Sequence, residues 1–257
     1  RGRVIKMTLD REYFETIDLR GLADAIDITD DGSLLFDVDG DLHERSRDGN
    51  IRRIWSCRSE LALRLCYSNT INWNPIEDSV FMSFPEPGAV AEIDRASGEL
   101  IGYYGNQQNA WDFAPPLANP PAEWRFGFQH FPNISPTGTL IVSSHMPGYE
   151  AFMTPPTPNQ HAFIEFAIDR ANKRLKEVWR YTEGPEWPRS RGMAIRLVNG
   201  NTLGNYGSAG VIREITPDKQ TVFHVKFDIP RGNDAYNKLV GNNVLIDDLY
   251  ALNGGPR

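Results

Sequence analysis

The sequence is poor in cysteine and has no long hydrophobic run, and each absence narrows the class of protein. Cys57 and Cys66 are the only cysteines among 257 residues, which excludes a disulfide framework and a zinc site built from thiolates. No stretch reaches the ~18–20 apolar residues of a membrane-spanning helix, so the sequence predicts a soluble chain. Basic residues are outnumbered 27 to 34, and the net charge of −7 argues against a nucleic-acid partner, whose phosphates need clustered Lys and Arg.

Helical periodicity and nucleotide-binding motifs are also scarce. The only short helical candidates are Arg58–Leu65 and Asp234–Val240. The sequence has no Gly-rich phosphate loop, no Gly-x-Ser-x-Gly elbow and no His-Glu-x-x-His motif, which leaves nucleotide-dependent and serine-hydrolase chemistry without support. Short β-branched and aromatic runs bounded by Gly, Pro, Asn and Asp dominate instead, and they predict strands.

Four segments share one pattern of strands and turns, which indicates internal repeats. Each reads as a strand, a tight turn, a strand, a gap, a strand, a second turn and a last strand. The turns are rich in Asp, Asn and Gly because these residues tolerate the positive φ that short hairpins need. The first strand pairs are Ile26–Phe36, Ile71–Phe84, Phe131–Ser144 and Ala194–Gly207.

A repeated antiparallel unit of about 40 residues is typical of a propeller blade, so the predicted fold class is an all-β propeller of four-stranded blades. Insertions rich in proline and aromatic residues lengthen the repeats at Gly105–Gly127, Met146–Gln160 and Thr182–Ser190. They are either ordinary surface loops or segments that fold over one mouth of the propeller and shape a pocket.

The two ends of the chain are expected to share one blade, which makes residues 1–257 a single domain. Arg3–Leu9 and Tyr13–Leu19 read as strands, and so does Asn243–Tyr250. Pairing these segments would close the ring and remove exposed strand edges. Counting strands gives five blades, whereas dividing the 257 residues by ~43 per blade gives six.

The first strand of each blade lines the axis of a propeller, so the residues that begin these strands meet at one mouth. Polar groups from several blades can form a binding or catalytic site there, or can merely hydrate the channel. The equivalent positions hold Asp24, Asn69, His130 and Gly192, with Tyr67, Gln129 and Arg191 beside them.

Sequence motifs in several blades occur in an order that resembles a known family. They are NTINWNPIEDSVFMSF, FGFQHFPNISPTGTLIVSS, FIEFAIDRANKRLKEVWRY and RGMAIRLVNGNTLGNYGSAGVIREITPD, with VLIDDLYAL near the end. Together they resemble the bacterial aryl sulfotransferases, which use aryl sulfates and need no nucleotide sulfate donor. The resemblance implies six blades, no cofactor, no metal, and a histidine-rich axial site at which one histidine is transiently sulfated and then sulfates a phenol.

The match to the family's site residues is partial. His130 matches the Gln-His motif, and Asn69 matches an asparagine that follows a functional histidine by two positions. Tyr67 stands where that histidine would be. A family arginine falls on Ala162, unless a slip of one residue brings His161 there. The expected sulfate acceptor falls near Arg191 or Gly192, where this sequence has no histidine.

Three interpretations follow from this partial match. The protein is a sulfotransferase with a relocated nucleophile, for which His130 and His145 are candidates. Alternatively, it performs acid–base chemistry of the lyase or hydrolase type, with His130 as the base and Tyr67 or Arg191 as the acid or anion clamp. In the third interpretation it only binds a ligand or a partner.

The candidate site residues follow from these positions, and the expected substrate is a small aromatic or anionic compound. His130, Tyr67 and Arg191 are the predicted catalytic residues. The predicted substrate-binding residues are Asn69, Gln129, His145, His161 and Arg125.

The two cysteines leave the compartment open. A local disulfide between Cys57 and Cys66 would suit a periplasmic or extracellular protein, and two free thiols would suit a cytoplasmic one. The family resemblance implies the periplasmic or extracellular location.

Overall fold

The structure is a computed structural model and describes residues 2–8, 11–61, 63, 65–114, 127–145, 161–182, 188 and 191–227. The predicted strand 243–250, the predicted helix 234–240 and most of the three insertions lie outside the described residues. Among the helices of the described part, none is long and apolar enough to cross a membrane.

Four four-stranded antiparallel units, each with its strands in chain order, make up most of the described chain and confirm the predicted fold class. We call them blades 1 to 4. Blade 1 contains β3 (Ile26–Ile28), β4 (Leu34–Val38), β5 (Asp41–Arg45) and β6 (Ile51–Ser56). Blade 2 contains β7 (Thr70–Asn74), β8 (Ser79–Phe84), β9 (Ala89–Asp94) and β10 (Leu100–Gly105).

Blades 3 and 4 have the same strand order, and blade 3 has one additional strand. Blade 3 contains β12 (Gly127–Ile134), β13 (Leu140–His145), β14 (His161–Asp169) and β15 (Arg174–Tyr181). The additional strand β11 (Asp112–Ala114) pairs in parallel with β15. Blade 4 contains β16 (Gly192–Arg196), β17 (Thr202–Tyr206), β18 (Val211–Ile215) and β19 (Thr221–Lys226), with a short 3-10 helix at Gly207–Ala209.

An N-terminal hairpin of β1 (Gly2–Met7) and β2 (Phe14–Leu19) forms a separate two-stranded sheet. It packs on blade 1, where Ile17 and Leu19 meet Leu34 and Phe36 in one buried cluster. The predicted third strand of this sheet lies at 243–250, outside the described residues, so the closure of the ring and the number of blades stay predictions.

The blades pack face to face because alternate side chains of each strand point to opposite faces of the sheet. Strand β8 is buried along its whole length. Its Val80 and Met82 lie in the core shared with blade 1, whereas Phe81 lies in the core shared with blade 3. A third core, between blades 3 and 4, contains Ile141 and Phe163.

The helix predicted at Arg58–Leu65 is wrong in extent, because the observed helix α1 covers only Cys57–Glu60. Cys57 and Cys66 form a disulfide whose Cα atoms are 5.8 Å apart. A continuous helix across the same nine-residue separation would place them about 13 Å apart at ~1.5 Å per residue. The disulfide therefore requires the chain to turn back after one helical turn.

Candidate functional site

The inner strands β3, β7, β12 and β16 are neighbours around the axis, and the residues that begin them meet at one mouth. The Asn69 side-chain nitrogen Nδ2 lies 2.9 Å from Nδ1 of His130 and donates to the carbonyl oxygen of Gln129, also at 2.9 Å. The backbone N–H of Arg191 points at Nε2 of His130 from 3.5 Å. Three blades thus surround one imidazole, as the alignment of the repeats predicts.

The backbone around His130 is strained. The pairing of β12 with β13 is irregular on both sides of His130. Phe128 and Phe131 have positive φ angles of 44° and 53°, and Arg191 has a φ of 66°. Such angles are rare for bulky residues and concentrate at functional sites. These bulges place consecutive residues in different environments: Gln129 is buried and His130 is partly exposed.

Gln129 was predicted to bind substrate, but its side chain is fully buried and holds two blades together. Its Nε2 lies 3.1 Å from Ser83 Oγ and from the carbonyl oxygen of Phe84, and 2.8 Å from that of Ala89. Position 129 faces blade 2 rather than the axis because the β12 bulges rotate it inward. The structure therefore gives Gln129 a packing role in place of ligand contact.

His145 and His161 lie behind His130, in the buried layer of blade 3. They are directly paired across β13 and β14, with ring centroids 5.9 Å apart. His161 Nε2 lies 2.8 Å from the hydroxyl of Ser143. Both histidines are about 95% buried, so they support the wall of the site and do not present a nitrogen to the mouth.

Gly192 begins β16 at the axial mouth, where no side chain would fit. A Cβ at this position would lie 1.9 Å from Ser143 Oγ and 3.1 Å from Nε2 of His161. The space that a side chain at 192 would need is thus filled by groups from blade 3. Alignment of the repeats could not show this packing, because the residues that fill the space come from a different repeat.

All three clustered imidazoles are neutral at neutral pH. Burial, aided by the Arg191 charge, lowers the pKa of His130 to about 4. Burial and the neighbouring His130 lower the pKa of His145 to about 3. The pKa of His161 lies well below its usual value for the same reasons. His130, which alone of the three is partly exposed, therefore presents an uncharged imidazole at the mouth.

A hydrogen-bonded pair of acidic side chains lies where the inner strands of blades 1 and 2 begin. The hydroxyl of Tyr67, a half-exposed residue, donates to the Oδ2 atom of Asp24. This bond, together with burial, raises the pKa of Tyr67 to about 12. Burial raises the pKa of Asp37 to about 6, and its Oδ1 accepts the Gly40 N–H at 2.7 Å. Asp37 was not predicted as a site residue because its hairpin looks like an ordinary acidic turn.

Of the remaining predicted residues, Arg191 is exposed at the mouth and Arg125 lies outside the described residues. The charge of Arg191 contributes to the lowered pKa of His130, and it partly offsets the increase in the pKa of Tyr67. The guanidinium therefore lies near both side chains. Within the described ranges, no group of three His, Cys, Asp or Glu side chains is arranged to hold a metal ion.

A cleft of about 490 Å³ lies elsewhere, between the N-terminal hairpin and blade 1. Val4, Ile17 and Leu34 form part of its apolar lining, and Arg45 and Arg47 stand at its edge. It does not include His130, so the axial site is defined by its converging side chains and not by this cleft.

These sheets and their axial mouth define a protein of the β-propeller class. The sequence matches no protein-family model and no curated protein. Regucalcin, a calcium-binding protein from Agrobacterium tumefaciens, has a similar structure, with a TM-score of 0.54 and 12% identity over 87% of this chain and 66% of its own.

Two further solved structures are similar. Virginiamycin B lyase from Staphylococcus aureus, a catalytically inactive His-to-Ala variant with quinupristin, gives a TM-score of 0.52 and 14% identity over 89% of this chain. A protein of unknown function from Bacteroides caccae gives a TM-score of 0.50 and 16% identity over 84% of this chain. This chain spans 64% of the length of each. Such low identity shows the fold alone.

Proposed function

We propose that the protein transfers a sulfuryl group from an aryl sulfate to a phenol, with His130 as the residue that carries the group. The observation that carries the proposal is a neutral, partly exposed imidazole placed on a strained strand beside an exposed guanidinium. A neutral imidazole is nucleophilic near pH 7, and a cation attracts and stabilises the sulfuryl oxygens. The motif resemblance points to the same reaction.

The proposed reaction has two balanced steps. A lone pair of His130 Nε2 attacks sulfur, the bond from sulfur to the aryl oxygen breaks, and a phenolate leaves. The oxygen of the acceptor phenol then attacks sulfur, the N–S bond breaks with its electrons returning to the ring, and the phenolic proton is released. Arg191 binds the sulfuryl oxygens in both steps.

The first step requires the imidazole proton to be on Nδ1. Two N–H donors face the ring: the NH₂ group of Asn69 at Nδ1 and the backbone N–H of Arg191 at Nε2. A neutral imidazole has one lone pair and accepts from only one of them, so the Asn69 contact favours the proton on Nε2 and the Arg191 contact favours it on Nδ1. A half-turn of the amide places its oxygen at Nδ1–H and frees Nε2 for attack, at the loss of the bond from Asn69 to Gln129. The orientation of the Asn69 amide therefore selects between the two tautomers, and sulfuryl transfer requires the amide oxygen at Nδ1–H.

The test uses 4-nitrophenyl sulfate with a phenol acceptor and follows nitrophenolate release. Wild-type protein is expected to release nitrophenolate, and His130→Ala is expected to abolish release. His224→Ala is the matched control, because His224 is exposed on β19 and should leave the rate unchanged. No release by wild-type protein with several acceptors between about pH 6 and 9 would contradict sulfuryl transfer, given the nucleophile's lowered pKa.

A second candidate function is acid–base chemistry of the lyase or hydrolase type. It is favoured by the observed amide orientation, since with the lone pair on Nδ1 the ring carries Nε2–H, and Nε2–H and the backbone N–H of Arg191 would then both donate to a developing oxyanion. In that case Asn69→Asp, which can also accept from Nδ1–H, would weaken activity toward a carbonyl or ester substrate. Under sulfuryl transfer the same variant keeps the required tautomer and retains nitrophenolate release. Ligand binding without turnover would support the non-catalytic interpretation.

We further propose a periplasmic or extracellular location, and the disulfide between Cys57 and Cys66 supports it. Disulfides persist in oxidising compartments and are rare in the cytosol. Thiol labelling of the protein taken directly from its native cells should find both cysteines unreactive before reduction. Two reactive thiols in freshly lysed cells would count against this location.

A further inference from the structure

Tyr67 and Asp24 form a pair that the proposed chemistry has not used. They precede the neighbouring inner strands β7 and β3, so their contact crosses from blade 2 to blade 1 at the axial mouth. Both residues are exposed, and 52% of Tyr67 is accessible to solvent. A hydroxyl that donates to a carboxylate and is open on its other side can also accept a hydrogen bond from a ligand.

The pair is linked to the imidazole of His130 through Asn69 and Arg191. Tyr67 is two residues before Asn69, whose amide contacts His130. Arg191 connects the two sides, because its charge acts on both Tyr67 and His130 and its backbone N–H points at the imidazole. A phenol placed for attack on a group carried by His130 therefore has the Tyr67 hydroxyl within the same mouth.

We propose that the Tyr67 hydroxyl takes the proton from the acceptor phenol and passes its own proton to Asp24. The inference rests on sulfuryl transfer at His130 and concerns only its second step. The acceptor O–H bond breaks as its oxygen bonds to sulfur, the Tyr67 oxygen gains that proton, and the original Tyr67 proton moves to Oδ2 of Asp24. Asp24 is exposed and then releases the proton to water.

The charges around Tyr67 favour a concerted relay over a stable tyrosinate. Asp24 and Asp37 both disfavour negative charge on the Tyr67 oxygen, and only Arg191 opposes them. Tyr67 therefore gains one proton as it gives up another. The carboxylate of Asp24 holds the negative charge before the step and becomes neutral during it.

The relay predicts that the effect of removing the Tyr67 hydroxyl depends on the acidity of the acceptor. Tyr67→Phe and Asp24→Asn should lower kcat/KM for weakly acidic acceptors such as phenol by about 100-fold, the usual scale of general base catalysis. The loss should shrink to less than about threefold for pentafluorophenol, which is ionised at the assay pH and needs no base. The initial burst of nitrophenolate, which reports the first step, should be unchanged.

Tyr13→Phe is the matched control, because Tyr13 is equally exposed and its hydroxyl also donates to a carboxylate, that of Glu15. It should leave both steps unchanged. An equal loss for all acceptors, a reduced burst, or no loss with phenol would each overturn the relay while leaving sulfuryl transfer in place. Wild-type protein without nitrophenolate release would overturn the proposed function and the relay together.

Discussion

The imidazole at position 130 stays neutral far into the acidic range because burial and the Arg191 charge both disfavour its protonation. An ordinary histidine has a pKa of ~6.5 and would be largely protonated at pH 5. His130, with a pKa of about 4, retains its lone pair there. The site thus keeps an uncharged imidazole under conditions in which an exposed histidine would be protonated.

This difference predicts the pH dependence of the first step. As pH falls, protonation removes the lone pair, so kcat/KM for 4-nitrophenyl sulfate should stay level to about pH 5 and fall toward pH 4. A midpoint near 6.5 would show that His130 is not the titrating nucleophile. Folding must be followed in parallel by circular dichroism. The unfolded chain binds protons below ~6.5 while the folded one does not, so stability also declines between pH 6.5 and 4.

Gly192 gives a second prediction at the scale of one residue. Gly192→Ala places a methyl group against Ser143 and His161, and we expect the unfolding free energy to fall by about 1–3 kcal/mol, as for an overpacked core. Gly127→Ala is the matched control, because Gly127 also begins an inner strand and no atom of the described residues lies within 4 Å of its added Cβ. Equal urea midpoints for the two variants would contradict the tight fit at Gly192.

At the scale of the elements, a charged contact joins each pair of neighbouring blades. Glu44 of blade 1 pairs with Arg95 at 2.5 Å, and Glu92 of blade 2 pairs with Arg170 at 2.8 Å. Glu165 of blade 3 pairs with Arg196 of blade 4. The three glutamates lie on the third strand of their blades, so each interface is fixed by a group from the same structural position.

The pair between Glu92 and Arg170 predicts a large stability effect. Glu92 is fully buried, and Arg170→Ala would leave its charge uncompensated although Ser79 and Tyr104 still donate to it. We expect a loss of about 3 kcal/mol in urea unfolding, at the low end for a buried pair because Arg170 is partly exposed. Arg3→Ala, which breaks an exposed pair, should cost less than about 1 kcal/mol.

The sequence predicted these elements well where local chemistry determines them. The hairpin turns carry their own signal, for example the glycines at 32, 138 and 200, which all have positive φ. Strand β11 could not be predicted, because three residues become a strand only through pairing with the distant β15. The bulges of β12 likewise depend on contacts with two neighbouring blades, such as the bond from Phe131 N to Thr70 Oγ1.

The candidate site was predictable in outline for the same reason. Repeat alignment brings Asn69, His130 and Arg191 together, since equivalent positions of a propeller converge. It could not show that Gln129 turns inward or that His161 fills the space beside Gly192. Those features depend on packing between blades, which a single repeat does not encode.

At the scale of the whole molecule, the N-terminal hairpin carries an exposed apolar face, which is where the predicted closing strand 243–250 would pair and pack. Ile5, Met7 and Phe14 are more than half exposed, and Phe14 reaches 69%. We predict that deletion of residues 243–257 lowers the melting temperature and increases binding of a hydrophobic dye at this face. An unchanged melting temperature would contradict closure of the ring by the two ends.

Sulfuryl transfer through His130 requires a covalent group on its imidazole. Wild-type protein incubated with 4-nitrophenyl sulfate, without acceptor, should gain the mass of one SO₃ group on the peptide that contains His130, and added phenol should remove it. The His130→Ala variant should gain none. Nitrophenolate release without any mass gain, or SO₃ on a different residue, would contradict the assignment of His130 as the carrier.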